Sequence, residues 1–502
     1  MRGPVSAKSQ PAYGVAGVVA GVVGIGVSVG VAWLTDATTN PVVAVASEVR
    51  DRTPGHLAIN LVHLVGHADK PLLVGGTTVI LLALCWVAGV MSRRSAALGM
   101  AVVLVLGVIG TLAVLAQAHA GAAGLASALI GLLAWLVVHR MLTGSAQEYD
   151  ESRRTLVVGA AGSLVAAGVV VLGGRLLGHG RAAVEAARSH LKLNLARGVE
   201  PATADLGVDG IVPWRTSGGS FYQVAAEIGP PAIEPSDWSL RIHGMVDREL
   251  TFTYDDIVAR AQQGGWVTLC CVSNEVGGDL VGNAYWTGVL ARSLLAEAGV
   301  HPGADAVKQT SYDGWTCGTP IEALTDDRLA LLAVGMNGEP LPIDHGFPVR
   351  MVVPGLYGYV SATKWLVDLE VTTFDRFTAY WTERGWAEKG PVKTESRIDV
   401  PRDGQHVSAG ELAVGGVAWA QHTGIEKVEF QVDGGPWQTA RLGGVPDNDT
   451  WVQWAGEASV DKGSHEVRVR ATDKSGYTQT AVRRGLLPDG ATGWHTVRFT
   501  AT

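Results

Sequence analysis

Residues 266–276 read Trp-Val-Thr-Leu-Cys-Cys-Val-Ser-Asn-Glu-Val, and the pair Cys270–Cys271 holds half of the four cysteines in a chain of 502 residues. Adjacent cysteines make a poor structural disulfide, because the bridge strains both the ring and the peptide between them. From Gly265 onward the run is rich in β-formers and reads as a strand. Successive side chains of a strand point to opposite faces, so only one of the two thiols can enter a pocket while the strand persists. Two inert buried thiols is one reading. The other is one core thiol beside one ligand or nucleophile. A thiolate suits a soft metal, yet no histidine–cysteine cluster offers a full set of protein ligands. A cofactor bringing its own ligands would need one cysteine.

A chain of this length exceeds one core and suggests two to four domains. Its 39 basic and 47 acidic residues leave no basic footprint, which excludes nucleic acid as a partner. Cys85, Cys270, Cys271 and Cys317 are too few for a disulfide framework, and none sits in a CxxC, CxxCH or zinc-like spacing. Mean hydropathy is positive, at +0.21. The average conceals a split between long apolar runs in the first 180 or so residues and mixed globular sequence after them.

Five stretches are long enough to span a bilayer, which takes about 20 apolar residues. They are roughly Ala12–Leu34, Pro71–Met91, Ala96–Ala118, Gly121–Val138 and Thr155–Leu177, and none carries a charge at mid-depth. Arg2 and Lys8, Arg93 and Arg94, and Arg140, Arg153 and Arg154 occupy alternate connections; the loop 35–70 has Arg50, Arg52 and Lys70 over a greater length. That bias sets the N-terminus in the cytoplasm, and an odd number of spans then sets everything after about residue 180 outside. Ser152-Arg153-Arg154-Thr155-Leu156-Val157 either marks the inner end of the fifth span or resembles an internal twin-arginine export signal. His119 and His139 fall at span ends, and His56, His63 and His67 in the first outer loop. Solvated interfacial histidines are expected, and haem ligation is not.

Residues 178–205 read as a helical connector of mixed charge. From Pro213 to about residue 375 short strands and helices alternate: Trp238–Gly244, Leu250–Tyr254 and Gly265–Cys271 read as strands, Tyr254-Asp-Asp-Ile opens a helix, and Gly288–Ala298 reads as an amphipathic helix. Beyond Pro401 the pattern is β only, with strands at Val414–Trp419, Glu426–Val432, Trp451–Trp454 and His465–Ala471. Short strands at that spacing suggest an immunoglobulin-type sandwich, although its Cys…Trp…Cys core is absent.

Several ordered motifs now bear on the cysteines. Thr268-Leu-Cys-Cys271 is preceded by Phe221-Tyr222 and by Leu240-Arg-Ile-His-Gly-Met-Val246. It is followed by Asp344-His-Gly-Phe-Pro-Val-Arg-Met-Val-Val-Pro-Gly355, by Gly358 to Lys364-Trp365, and by Gly415-Gly-Val-Ala-Trp-Ala420 and Phe430–Gln438. Over about 213–495 the chain resembles the sulfite oxidase-type molybdopterin oxidoreductases. The resemblance implies that Cys271, last in a T-L-x-C pattern, is the protein ligand of molybdenum. It implies that His345 and Arg350 contact the pterin phosphate and ring region, and that Lys364, Ser361 and Tyr222 complete the cradle. Asp313 in Ser311-Tyr-Asp-Gly-Trp either helps anchor the cofactor or forms a turn before Gly314. Arg350 and Lys364 suit an anionic phosphate, arginine also through its bidentate fork. The Gly358–Trp365 piece departs from the family's spacing. The arginine expected after the first strand is missing at Phe221-Tyr-Gln-Val-Ala-Ala, and Trp386 falls near the expected tyrosine. Loss of that cation should weaken binding of an oxyanion such as sulfite, and Arg384 is a candidate to compensate.

The expected organisation is multi-domain. It comprises a five-helix transmembrane domain (1–178), a linker (179–212), an α+β sulfite oxidase-like molybdopterin-binding catalytic domain (213–398) and a C-terminal immunoglobulin-like β-sandwich of dimerisation type (399–502). The expected function is oxygen-atom transfer, with sulfite or a small oxo-compound as substrate, on the outer face of a bacterial cell membrane. Membrane lipid, a separate electron-transfer partner or the quinone pool, and a second copy in a homodimer are the expected partners. The competing readings are a reductase of sulfoxides or another oxo-compound, and a non-catalytic adhesion or assembly protein with a degenerate pocket.

Overall fold

A computed structural model describes residues 10–54, 68–147, 149–177, 180–193 and 195–502. The chain divides into two compact units: residues 1–186 with 227–232, and residues 187–226 with 233–502.

The first unit is helical. Helices α1 (Gln10–Leu34), α3 (Asp69–Ser92), α4 (Ala96–Ala116), α5 (Gly121–Gln147) and α6 (Tyr149–Leu177) follow the expected apolar runs, and a further helix α7 (Gly180–His190) ends the series. Five helices among the described residues are long and apolar enough to cross a membrane. α1 is the central one: half of its apolar window is buried, against 17–28% for α3 to α5, and it packs on α3, α5 and α6. Its glycines make this possible. A Cβ at Gly17 would overlap the carbonyl oxygen of Cys85, and one at Gly89 would overlap that of Tyr13. Small residues at such crossings let two backbones touch, which is how helices associate where lipid removes the hydrophobic drive. Gly89→Leu should therefore lower the stability of this bundle by about 1–3 kcal/mol or more, read as an earlier thermal transition in detergent, while Gly75→Leu, where nothing lies within 4 Å, should not.

Two expectations for this unit are corrected. The stretch 35–70 contains a helix, α2 (Pro41–Arg52), where a loop was expected. Asn40 caps it, its side-chain oxygen accepting from the Val42 and Val43 amides at 3.1 and 3.2 Å, and Pro41 supplies the favoured first-turn residue. His139 is fully buried rather than solvated, and its Nε2 lies 2.9 Å from Ser92 Oγ. Inside a helix bundle a polar ring must find its partner within the protein. His56, His63 and His67 lie outside the described residues, as do the side chains of Arg153 and Arg154.

Among its described residues the second unit contains four sheets. One runs β2 (Leu250–Thr253), β1 (Ser239–Gly244), β10 (Leu366–Thr372), β5 (Ala306–Ser311), β6 (Thr316–Pro320), with β1 parallel to β10 and the other pairs antiparallel. Another runs β3 (Gln263–Cys270), β4 (Val281–Leu290), β7 (Leu331–Met336), β8 (Glu339–Pro340), with β9 (Arg350–Val352) also on β7. Helix α8 (Tyr254–Arg260) begins at a capping box, Thr253 and Asp256 each bonding the other's backbone. Helix α9 (Ala291–Ala298) starts three residues later than expected. Gly288 to Leu290 instead complete the β4 ladder against β7, where cross-strand pairing and burial outweigh the local helical pattern. The connector is also shorter than expected, since helix ends at His190.

The C-terminal part is β-rich. β11 (Glu395–Val400), β13 (Gly410–Trp419), β17 (Val452–Val460) and β16 (Arg441–Leu442) form one sheet. β12 (His406–Val407), β19 (His495–Ala501), β18 (Gly463–Asp473), β14 (Ile425–Val432) and β15 (Gln438–Thr439) form the other. Val414 and Trp454 of the first share one core with Val428, Phe430, Val467 and Phe499 of the second. This part also braces β3. The Thr268 amide donates to Asp449 O at 2.9 Å, the Trp451 amide to Thr268 Oγ1 at 2.8 Å, and Gln421 Nε2 to Thr268 O at 3.0 Å. Thr268, three residues before Cys271, is thus held from both backbone and side chain.

Candidate active site

β3 ends at Cys270, which pairs with Val281 of β4, and Cys271 opens the turn that follows. That turn is closed locally: the Cys271 amide donates to Leu280 O at 2.9 Å, the Asn274 amide to Cys271 O at 3.0 Å, and Asn274 Oδ1 accepts from the Leu280 amide at 2.9 Å. The two thiols part at this point. Cys270 is buried in the wall with its Sγ 3.5 Å from Cys271 O, whereas Cys271 lines a cavity of about 110 Å³. All four cysteines are free. Burial pushes the Cys271 thiol up, opposed by hydrogen bonding from Ser273, whose amide is 3.4 Å from Sγ, and by the Lys364 charge.

Tyr222, Asp313, Arg350 and Lys364 line the same cavity, so five of the seven residues singled out from sequence converge from five separate segments. His345 and Ser361 do not line it. His345 is 1% exposed; its Nε2 lies 2.8 Å from Gly218 O, and its carbonyl accepts from Arg350 Nη1 at 3.1 Å. Burial pushes its imidazole down to about 4, so the ring is neutral. Ser361, wholly buried, donates its hydroxyl to Tyr357 O at 3.0 Å. Both support the cavity wall.

Arg350 is the more buried of the two cations on the cavity. It is 4% exposed, stacks 4.9 Å over Trp286, and donates through Nε to Met351 O at 3.4 Å as well as to His345 O. No carboxylate pairs with it among the described residues, and burial lowers its pKa to about 10. An interior guanidinium held only by carbonyls is costly unless an anion reaches it. Lys364 donates to Asp344 O at 2.9 Å, and the next residue, Trp365, has φ +49°. Such backbone costs a non-glycine residue on the order of 1–3 kcal/mol and is held here by the indole N–H donating to Ile343 O at 3.0 Å. Asp313 forms the expected turn, its Oδ1 accepting from the Trp315 amide at 3.0 Å beside Gly314 at φ +89°, and it also lines the cavity.

Ser311 Oγ, Trp315 Nε1 and Trp386 Nε1 are buried without hydrogen-bond partners among the described residues, as is His345 Nδ1, and the first three belong to cavity-lining residues. A flat, hydrogen-bonding heterocycle with an anionic phosphate fits this set: two cations, a thiol and orphaned polar atoms around one space. Arg384 does not compensate for the missing arginine. It stacks 3.7 Å over Tyr380, donates to Tyr380 O at 2.7 Å, and lies outside the cavity lining. Trp386 does line it, together with Tyr359 and Trp381, which the sequence reading left aside. The aromatic density of 380–386 was the available signal.

Glu395, at the start of β11, was also missed. It is 4% exposed, its Oε1 has no partner among the described residues, and burial raises its pKa from 4.5 to about 8. A carboxyl raised on folding contributes stability that is complete below about 4.5 and is lost as pH climbs through about 8. Glu395→Gln should therefore flatten the fall in stability between pH 5 and 8, measured as the difference in denaturation midpoint from the parent at each pH.

Cys271, Arg350 and Lys364 line one small cavity, and the family model described as the oxidoreductase molybdopterin binding domain matches residues 227–381. The mitochondrial sulfite oxidase of Homo sapiens is 28% identical over 323 residues, 53% of this chain and 58% of that protein. An uncharacterized oxidoreductase of Bacillus subtilis (strain 168), YuiH, is 35% identical over 156 residues, 30% of this chain and 74% of that protein. The chain belongs to the sulfite oxidase-type family of molybdopterin-dependent oxidoreductases. It therefore spans under two thirds of the length of the sulfite oxidase it matches. Among solved structures, the sulfane dehydrogenase SoxCD from Paracoccus pantotrophus aligns with a TM-score of 0.47 at 24% identity, over 58% of this chain and 82% of that one.

Proposed function

We propose that the chain is a membrane-anchored molybdenum enzyme that transfers an oxygen atom to or from a small substrate, with Cys271 as the protein ligand of the metal. The cofactor, when bound, supplies the two-electron oxygen-atom chemistry. The protein's part is to hold it and to shape the space beside it. Arg350 and Lys364 neutralise the phosphate. The His345 carbonyl fixes the Arg350 fork from within the wall, and Tyr222 and Asp313 border the cradle. Ser361 acts as a positioning residue through the backbone of the Tyr357–Lys364 segment. The observation that carries this reading is the buried Arg350, with no carboxylate partner among the described residues, on the cavity that Cys271 lines.

The first helices (1–178) anchor the chain in a bacterial cell membrane, and 179–212 link them to the catalytic part, which begins near 213 and lies on the outer face. The catalytic part ends near 398, where the pairing of β11 with β13 begins the C-terminal sheet and supports that reading. The C-terminal part is an immunoglobulin-like sandwich suited to homodimer contact. The apolar outer faces of the helices, with Val79 and Val165 each 66% exposed, favour lipid as their surroundings. Electrons pass to or from a separate partner or the quinone pool, and Ser152-Arg153-Arg154 directs export of the folded, cofactor-loaded domain. The test is metal and pterin analysis of the purified full chain, followed by turnover with sulfite, a sulfoxide and nitrate. Folded protein lacking both molybdenum and pterin would favour the non-catalytic reading.

A further inference from the structure

The turn between β3 and β4, residues 271–280, closes on itself through Asn274 and Leu280, but its far end is soft in sequence. Gly277 and Gly278 follow each other there, with Gly277 at φ +84°. A glycine pair leaves a backbone freer than any other two residues would. The Cys271 sulfur keeps one position only if something outside the turn holds those glycines.

The C-terminal part does so. Arg397 of β11 donates through Nη1 to Gly278 O at 3.0 Å. Its Nε donates to Asp399 Oδ1 at 2.7 Å, with both side chains nearly buried, and Asp399 Oδ2 accepts from the Val212 amide at 3.2 Å. Ile398, between them, packs into the sandwich core, so strand alternation turns Arg397 and Asp399 out of that core. His495 of β19 lies against the other glycine: a Cβ at Gly277 would overlap its ring. That ring is neutral, since burial pushes it down to about 4, and it is oriented by Nδ1, which accepts from the Ile398 amide at 2.9 Å.

A buried ion pair adds little net stability over apolar residues of similar volume. What the Arg397–Asp399 pair fixes is geometry. Together with the bonds that Asp449, Trp451 and Gln421 make to Thr268, it grips the segment 268–278 at both ends, with Cys271 between.

We propose that Arg397 is a positioning residue for the Cys271 sulfur, and that the C-terminal part sets where that sulfur meets the cofactor. The inference rests on the reading of Cys271 as the metal's protein ligand. Outer partners tune a metal by orienting its ligand, and Arg397 does so through the Gly278 carbonyl rather than through the sulfur.

The experiment uses the full chain in detergent, after its molybdenum and pterin content has been measured. Arg397→Met removes the donor to Gly278. Combining it with Asp399→Asn does the same without leaving a lone buried carboxylate, which covers the case of a single variant that folds poorly. Val428→Ala, in the sandwich core, is the control that lowers the melting temperature without touching the turn. X-ray absorption reads the metal–sulfur distances, and the paramagnetic molybdenum(V) signal reads how many sulfur geometries are present. The parent and Val428→Ala should each show one signal. Both Arg397→Met proteins should show a broadened or split signal and about 10- to 100-fold slower turnover of the substrate the parent accepts, with pterin retained. Arg397→Lys, a point charge in place of the planar fork, should restore part of both. Arg397 variants that melt lower yet keep the parent's signal, distances and rate would overturn the inference. A parent without molybdenum and pterin, or a signal that Cys271→Ser leaves unchanged, would overturn the cofactor reading beneath it as well.

Discussion

Replacing Cys271 with serine is expected to abolish turnover while leaving the chain folded and its pterin in place. The size of the loss should exceed the roughly 10–100-fold that removing an outer-shell partner of a metal ligand costs, because here the ligand itself is exchanged for a hydroxyl. The turn that carries it is held by the Cys271–Leu280 and Asn274–Cys271 backbone bonds and by Asn274 Oδ1, and the Ser273 amide that reaches Sγ at 3.4 Å can donate to a serine hydroxyl instead, so the substitution leaves that geometry in place. Cys270→Ala is the informative control. Its sulfur sits in the wall, away from the cavity lining, so the variant should lose stability and keep its activity. Rates per bound pterin and melting temperatures of the two variants separate these outcomes. Equal activity in Cys271→Ser and the parent would remove the ligand assignment.

Arg350→Met should produce the second large effect, on retention of the cofactor rather than on the rate of the loaded enzyme. The guanidinium is 4% exposed and lies over Trp286, so methionine can fill much of its volume without its charge. Removing one partner of a buried, hydrogen-bonded charge pair costs about 2–5 kcal/mol, so the cofactor should bind roughly 30-fold or more weakly. Arg350→Lys should not restore it fully. A lysine offers a point charge where the planar fork spans the His345 carbonyl and the cavity. Pterin per folded chain, measured after purification, checks both variants. Full pterin content in Arg350→Met would contradict the role given to this residue.

The parts of the fold that were legible in the sequence were those whose signal is local. Apolar runs located α1 and α3 to α6 because a long uncharged helix needs no partner to be recognised. Tyr254-Asp-Asp-Ile announced the start of α8, and the Thr253–Asp256 capping box became visible only in the fold. The failures were tertiary. Gly288 to Leu290 looked helical and became strand because β7 supplies a ladder for them. β11 and β19 were overlooked because their residues read as strands only once β13 and β18 lie beside them. The site followed the same division. Cys271, Arg350 and Lys364 stood in ordered motifs, and strand alternation already allowed only one of the adjacent thiols into a pocket. His345 and Ser361 shared those motifs, yet the chain turns them into the wall. Trp381, Trp386 and Glu395 gain their surroundings from packing between distant segments, which spacing in one chain does not encode.

The central claim is that the Cys271 sulfur binds molybdenum in this cavity. X-ray absorption at the molybdenum edge of the purified full chain tests it most directly, by comparing the metal's sulfur neighbours in the parent and in Cys271→Ser. The account predicts a metal-loaded parent and a variant that has lost one sulfur neighbour. An unchanged sulfur shell in the loaded variant would contradict it.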